Sequence, residues 1–151
     1  MNDERSETPV SERVLVALDG SPAQTKILAE AVRYAQRAGA QLVLFRAVGI
    51  PVELPHAAIG LDPNAIAQVL IDAARADLDA QARSAPPGVV AGVRVELGTP
   101  WRSILDAARD VDADLVIIGS HGYGGLDRLL GTTAAKVVNH ADRSVLVVRP
   151  H

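Results

Sequence analysis

Cysteine is absent from the 151 residues, so the chain has neither a disulfide framework nor a thiolate metal site. Aromatic residues are scarce at 3%, with one Trp, one Phe and two Tyr. Basic runs are missing as well: the 15 basic residues are dispersed, and among them only Lys26 and Lys136 are lysines. A groove that tracks a nucleic-acid backbone needs clustered cations and stacking rings, so no nucleic-acid partner is expected. No apolar stretch approaches the roughly 20 residues of a membrane span, and no membrane association is expected. The polar start, MNDERSETPVSE, lacks the basic-then-apolar order of a secretion signal, which points to a cytoplasmic protein. His56, His140 and His151 have no ligand-like spacing, so no metal site built from protein side chains is expected.

The residues that are present repeat one pattern. After a flexible tail at 1–12, a single α/β domain is expected over 13–151. Arg13 to Leu18 is a short apolar run that stops at Asp19-Gly20, as a buried strand does at a turn. Ser21-Pro22 suits a helix start, with serine as cap and proline in the first turn. Ile27, Leu28, Ala31, Val32 and Ala35 follow at helical spacing, and Gly39 suits the closing cap. Gln41 to Val48 reads as a second strand, and 49–61 as an apolar loop. Asp62-Pro63 opens a second helix, with Ile66, Val69, Leu70, Ala73, Ala74 and Leu78 expected on its inner side. Val90 to Leu97 is a third strand, and Gly98-Thr99-Pro100 opens a third helix. Asp114 to Gly119 is a fourth strand, Thr132-Thr133 begin a fourth helix, and Ser144 to Arg149 is a fifth strand. Short continuous runs of Val, Leu and Ile suit strands covered on both faces. Alternation with helices implies a doubly wound parallel sheet, with ligands beyond the carboxyl ends of its strands.

Two segments carry chemistry. Gly119-Ser120-His121-Gly122-Tyr123-Gly124-Gly125 leaves a buried strand and runs on to Gly131-Thr132-Thr133 at a helix start. Glycines let a backbone approach an anion, and a helix start offers free N–H groups and a partial positive charge. The same pattern also describes an ordinary loop with a threonine cap. Asp19, at the end of the first strand, repels phosphate and suits ribose hydroxyls or a base. An aspartate there also often serves only to stabilise the turn before the helix, which is the reading that Asp19 taken alone favours. His121 either touches the ligand or shapes the loop. Arg128 either reaches a phosphate or pairs with Asp127. Trp101 reads as a packing residue.

Val16-Ala17-Leu18-Asp19-Gly20-Ser21, Gly98-Thr99-Pro100, Asp114 to Gly122 and Ser144 to Arg149 resemble universal stress proteins in content and order. The resemblance spans about residues 12–150. It implies five parallel strands in the order 3-2-1-4-5, which makes strands one and four neighbours. ATP-binding members of that family carry a G-x2-G-x9-G-[ST] motif. Here Gly119, Gly122 and Gly131-Thr132 match it, but Tyr123 to Leu130 holds eight residues, one fewer. The resemblance further implies that Asp19 contacts adenosine and that the backbone of Ala47 reads the adenine edge. Gly119, Gly122, Gly131, Thr132 and Thr133 would then surround ribose and phosphates. Arg46 stands where many relatives have histidine. ATP with Mg²⁺ or Mn²⁺ held mainly by its phosphates is the implied ligand, and strand 144–149 the implied homodimer contact. The expected function is nucleotide-binding regulation in stress physiology with at most slow hydrolysis, since no phosphate-binding lysine loop occurs. A dedicated ATPase or adenylyl-transferring enzyme, and an interaction protein that binds no nucleotide, are the alternatives.

Overall fold

Strand and helix alternate throughout the computed structural model, which describes residues 11–49, 60, 62–120 and 130–149. The elements are β1 (Arg13–Ala17), α1 (Gln24–Ala38), β2 (Gln41–Val48), α2 (Pro63–Ser84), β3 (Val90–Leu97), α3 (Pro100–Asp110), β4 (Leu115–Gly119), α4 (Thr132–His140) and β5 (Ser144–Val148). All neighbouring strands run parallel, in the order β3-β2-β1-β4-β5. The expected doubly wound α/β sheet is therefore the observed one.

Strand alternation divides the core. Val14, Val16 and Leu18 of the first segment, Leu42 and Leu44 of β2, and Leu115 and Ile117 of β4 share one face. There they meet Ile27, Leu28, Ala31 and Ala35 of α1 and Leu78 of α2. Leu15, Phe45, Val116 and Ile118 point the other way, onto Ile104, Leu105 and Ala108 of α3 and Ala134 and Val137 of α4. The period-two alternation explains why every strand of the centre is apolar at successive positions: each face has its own pair of helices to bury. Fully burying such side chains stabilises by about 1.5–3 kcal/mol each.

Most helix punctuation falls where the residue types put it. Gly39 closes α1 with φ 66°, and its N–H donates to the Ala35 carbonyl. Asp62 caps α2 by accepting from the Asn64 amide at 3.0 Å, with Pro63 in the first turn. Thr99 holds the cap position of α3, but its hydroxyl makes no capping bond. Ser21 is a correction. Helix α1 starts only at Gln24, its cap position is Ala23, and the Ser21 hydroxyl is buried with no partner among the described residues. The cause is the preceding turn: Asp19 Oδ1 accepts the Ser21 amide at 2.9 Å, Gly20 takes φ 80°, and Gln24 N–H returns to the Ser21 carbonyl. The carboxylate therefore organises the turn that serine was expected to cap.

Helix α2 needs a second correction. Val69 is 66% exposed and Ala73 is exposed, whereas Ala67, Ala74 and Leu78 are buried. This helix packs over β2 and β3, at one edge of the sheet, so only a narrow stripe is covered. The apolar positions of 66–78 span a broader arc than that stripe.

Candidate functional site: the crevice between β1 and β4

Chain winding reverses at β1. Strands β2 and β3 are added on one side of it, and β4 and β5 on the other. Ala17 pairs with Ile118, so Leu18-Asp19 and Gly119-Ser120 leave the sheet side by side at its carboxyl edge. Crossovers that depart to opposite sides leave a crevice at such a point, open to ligands. Asp19 is exposed there. Its turn-closing role is real, because Oδ1 holds the Ser21 amide. This contact fixes the carboxylate at the rim of the crevice.

The β4 side closes on itself. Ser120 N–H donates to the Val148 carbonyl at 2.9 Å, and Gly131 N–H donates to the Ser120 carbonyl at 3.0 Å. Ser120 and Gly131 are thereby neighbours. His121, Gly122, Tyr123, Asp127 and Arg128 lie outside the described residues. Gly131 is the cap position of α4, with extended backbone. Its amide is engaged, contrary to a reading in which every amide at this helix start is free. The next amides, of Thr132, Thr133 and Ala134, precede the first intrahelical bond, which Ala135 makes to the Gly131 carbonyl. Thr132 is exposed and Thr133 half-buried. Gly119 has a packing reason to be glycine: a Cβ there would stand 2.5 Å from Ile27 Cδ1.

Ala47 lies two rungs beyond the last β1–β2 pair, Ala17 with Phe45. Leu18 N–H still donates to the Phe45 carbonyl, whereas the Val48 carbonyl accepts from Gly98 on the far side. Backbone groups alternate in direction along a strand, so those of Ala47 point towards β1, past its end. This is the edge that the resemblance assigns to adenine.

Arg46, Gln24 and Asp77 form a cluster that residue types and spacing did not reveal. Arg46 belongs to the row of Leu42 and Leu44, which faces α1 and α2. Its Nε donates to the Leu18 carbonyl at 2.9 Å, and its Nη2 donates to Gln24 Oε1 at 2.8 Å and to Asp77 Oδ2 at 2.6 Å. Gln24 Nε2 also donates to Asp77 Oδ2, at 3.1 Å. Hydrogen bonds from Arg46 first, and then from Gln24, hold the Asp77 carboxyl below its ordinary range. The available signal was a cation in an otherwise apolar row of β2, with an acid on the helix that must cover it.

Trp101 packs as expected, with its ring 4.7 Å from that of His140 and the Arg102 guanidinium 5.0 Å from its centre. A shallow groove of about 260 Å³ runs past Trp101, Leu105 and His140 and includes none of the crevice residues. Among the described residues, no group of three His, Asp or Glu is placed to hold a metal ion, and no helix is long and apolar enough to cross a membrane.

Similar proteins share this architecture. The universal stress protein Sll1388 of Synechocystis is 30% identical, over 91% of this chain and 97% of its own length. The chain spans 44% of the universal stress protein Rv2005c of Mycobacterium tuberculosis, at 34% identity. The solved universal stress protein UspA from Lactobacillus plantarum superposes with a TM-score of 0.74, at 24% identity, over 91% of this chain and 97% of that one. A universal stress protein crystallised in complex with cAMP superposes with a TM-score of 0.64, at 23% identity, over 92% and 97%. Residues 11–149 match the model of the universal stress protein family, and with the sheet order and these relatives that match makes the chain a member of it.

Proposed function

We propose that this protein is an adenine-nucleotide-binding regulator that takes ATP in the crevice between β1 and β4. The observation that carries the reading is the pairing of Ala17 with Ile118, which brings the Asp19 turn beside the start of the glycine segment. Asp19 suits the hydroxyls of ribose, since a carboxylate accepts hydrogen bonds and repels phosphate. The backbone of Ala47 suits the adenine edge. The amides of Thr132, Thr133 and Ala134, at the positive end of α4, suit the phosphates. Gly119, His121, Gly122 and Gly131 complete the proposed lining. Mg²⁺ or Mn²⁺ rides on the phosphates and needs no dedicated cage of side chains. One structural neighbour was crystallised with cAMP, so an adenine nucleotide is compatible with the fold. The role is binding, with at most slow hydrolysis.

Calorimetric titration with ATP and Mg²⁺ tests this. Asp19→Ala weakens binding about tenfold or more, on the order of 1.4 kcal/mol. Thr132→Ala weakens it less, because the backbone donors survive. A folded wild-type sample with no affinity up to millimolar ATP refutes the reading.

Two observations favour a second reading, an interaction protein without nucleotide. The Gly131 amide is already bonded, and Ile27 accounts for Gly119 by packing alone. Heating purified protein and analysing the supernatant for released adenine nucleotide separates the two readings.

A further inference from the structure

We propose that Arg46 is a positioning residue that keeps the adenine edge of the crevice open, by taking the carbonyl that would otherwise close it. The inference rests on the nucleotide reading above. A parallel ladder that continued past Leu18 N–H to the Phe45 carbonyl would next bond Ala47 N–H to the Leu18 carbonyl. That rung is not made: the β1–β2 pairing ends at Ala17 with Phe45. Arg46 Nε occupies the Leu18 carbonyl instead.

Three acceptors hold the guanidinium in place: the Leu18 carbonyl takes Nε, and Gln24 Oε1 and Asp77 Oδ2 take Nη2. Gly20 leaves it room, since a Cβ there would stand only 3.2 Å from Nη1 and 3.3 Å from Cζ. The Arg46 side chain is 12% exposed. Asp77 immediately precedes Leu78, whose side chain is fully buried and pins α2. A chain of contacts thus runs from α2 through Asp77 and Arg46 to the carbonyl before Asp19. The planar fork is essential to it. Lysine has a single donor centre and cannot bond the Leu18 carbonyl and the Gln24–Asp77 pair in these directions together.

The test is amide exchange of the full chain by NMR, combined with ATP titration, on Arg46→Met and Asp77→Asn. Arg109→Gln serves as control, because it breaks ion pairs to Asp106 and Asp142 in α3 and beyond. In Arg46→Met the freed Leu18 carbonyl captures Ala47 N–H. Ala47 exchange then slows by about tenfold, while ATP binding weakens by about fivefold or more. Asp77→Asn shifts both the same way by less and covers the case in which Arg46→Met does not fold. General loosening has the opposite signature: Ala47 exchanges faster, together with core amides such as Ile117. Faster or unchanged Ala47 exchange in the folded variants overturns the proposal, as does an equal effect of Arg109→Gln. If the wild type binds no ATP, the nucleotide reading falls, and Ala47 exchange alone then decides the role of Arg46.

Discussion

Asp19 shows how one carboxylate acquires two uses: Oδ1 fixes the turn, and the turn fixes the carboxylate at the crevice. Gly119 shows the converse, a motif glycine with a second cause. Gly119→Ala pushes a methyl into Ile27 Cδ1 and should destabilise by about 1–3 kcal/mol, as overpacking of a tight site does. Ile27→Val removes Cδ1, so the double variant should recover part of that loss, and urea unfolding of the four proteins checks it. Asp142 contributes to the acid limb, as Asp77 does. Hydrogen bonds from Arg143 first, and then from Arg109, lower the pKa of Asp142 from 3.8 to about 2. A folded-state pKa below the unfolded one contributes stability that is complete above about pH 4 and lost as pH falls towards 2. Urea midpoints between pH 5 and 2 should therefore fall less steeply in Asp142→Asn than in the wild type.

At the scale of elements, local chemistry predicted each helix and strand, but not which side of α2 is buried. Its start is legible because Asp62-Pro63 act on their own backbone neighbours, as the glycine that closes α1 does. Its buried stripe depends on where the edge of the sheet stops. Leu78→Ala should cost about 2–5 kcal/mol, since it empties a fully buried site. Val69→Ser should change stability by no more than about 0.5 kcal/mol, although both residues look equally apolar in the sequence. Thermal and urea unfolding of the two variants distinguishes the observed face from the expected one.

At the scale of the molecule, the sheet ends on one side at β5. Val145 and Val147 are half-buried, and Leu146 is 39% exposed on an edge with no strand beyond it among the described residues. An apolar open edge invites pairing. The proposed homodimer through 144–149 predicts that light scattering gives twice the chain mass for the wild type. Leu146→Glu should shift it to the monomer while circular dichroism stays unchanged. A wild type that stays monomeric at high concentration removes that assignment.

Residue order alone sufficed for the succession of elements, most of their ends and the placing of Asp19 at a strand terminus. Those features arise from neighbours within a few positions, where periodicity, caps and turn residues act. The strand order, the meeting of Asp19 with the glycine segment and the part of Ala47 were legible only through likeness to a family, and His121 and Gly122 lie outside the described residues. The grip of Arg46 on Leu18, Gln24 and Asp77, the engaged amide of Gly131 and the contact of Ile27 with Gly119 needed the folded chain. Each joins groups that only packing brings together, and no local spacing encodes a distance across the sheet.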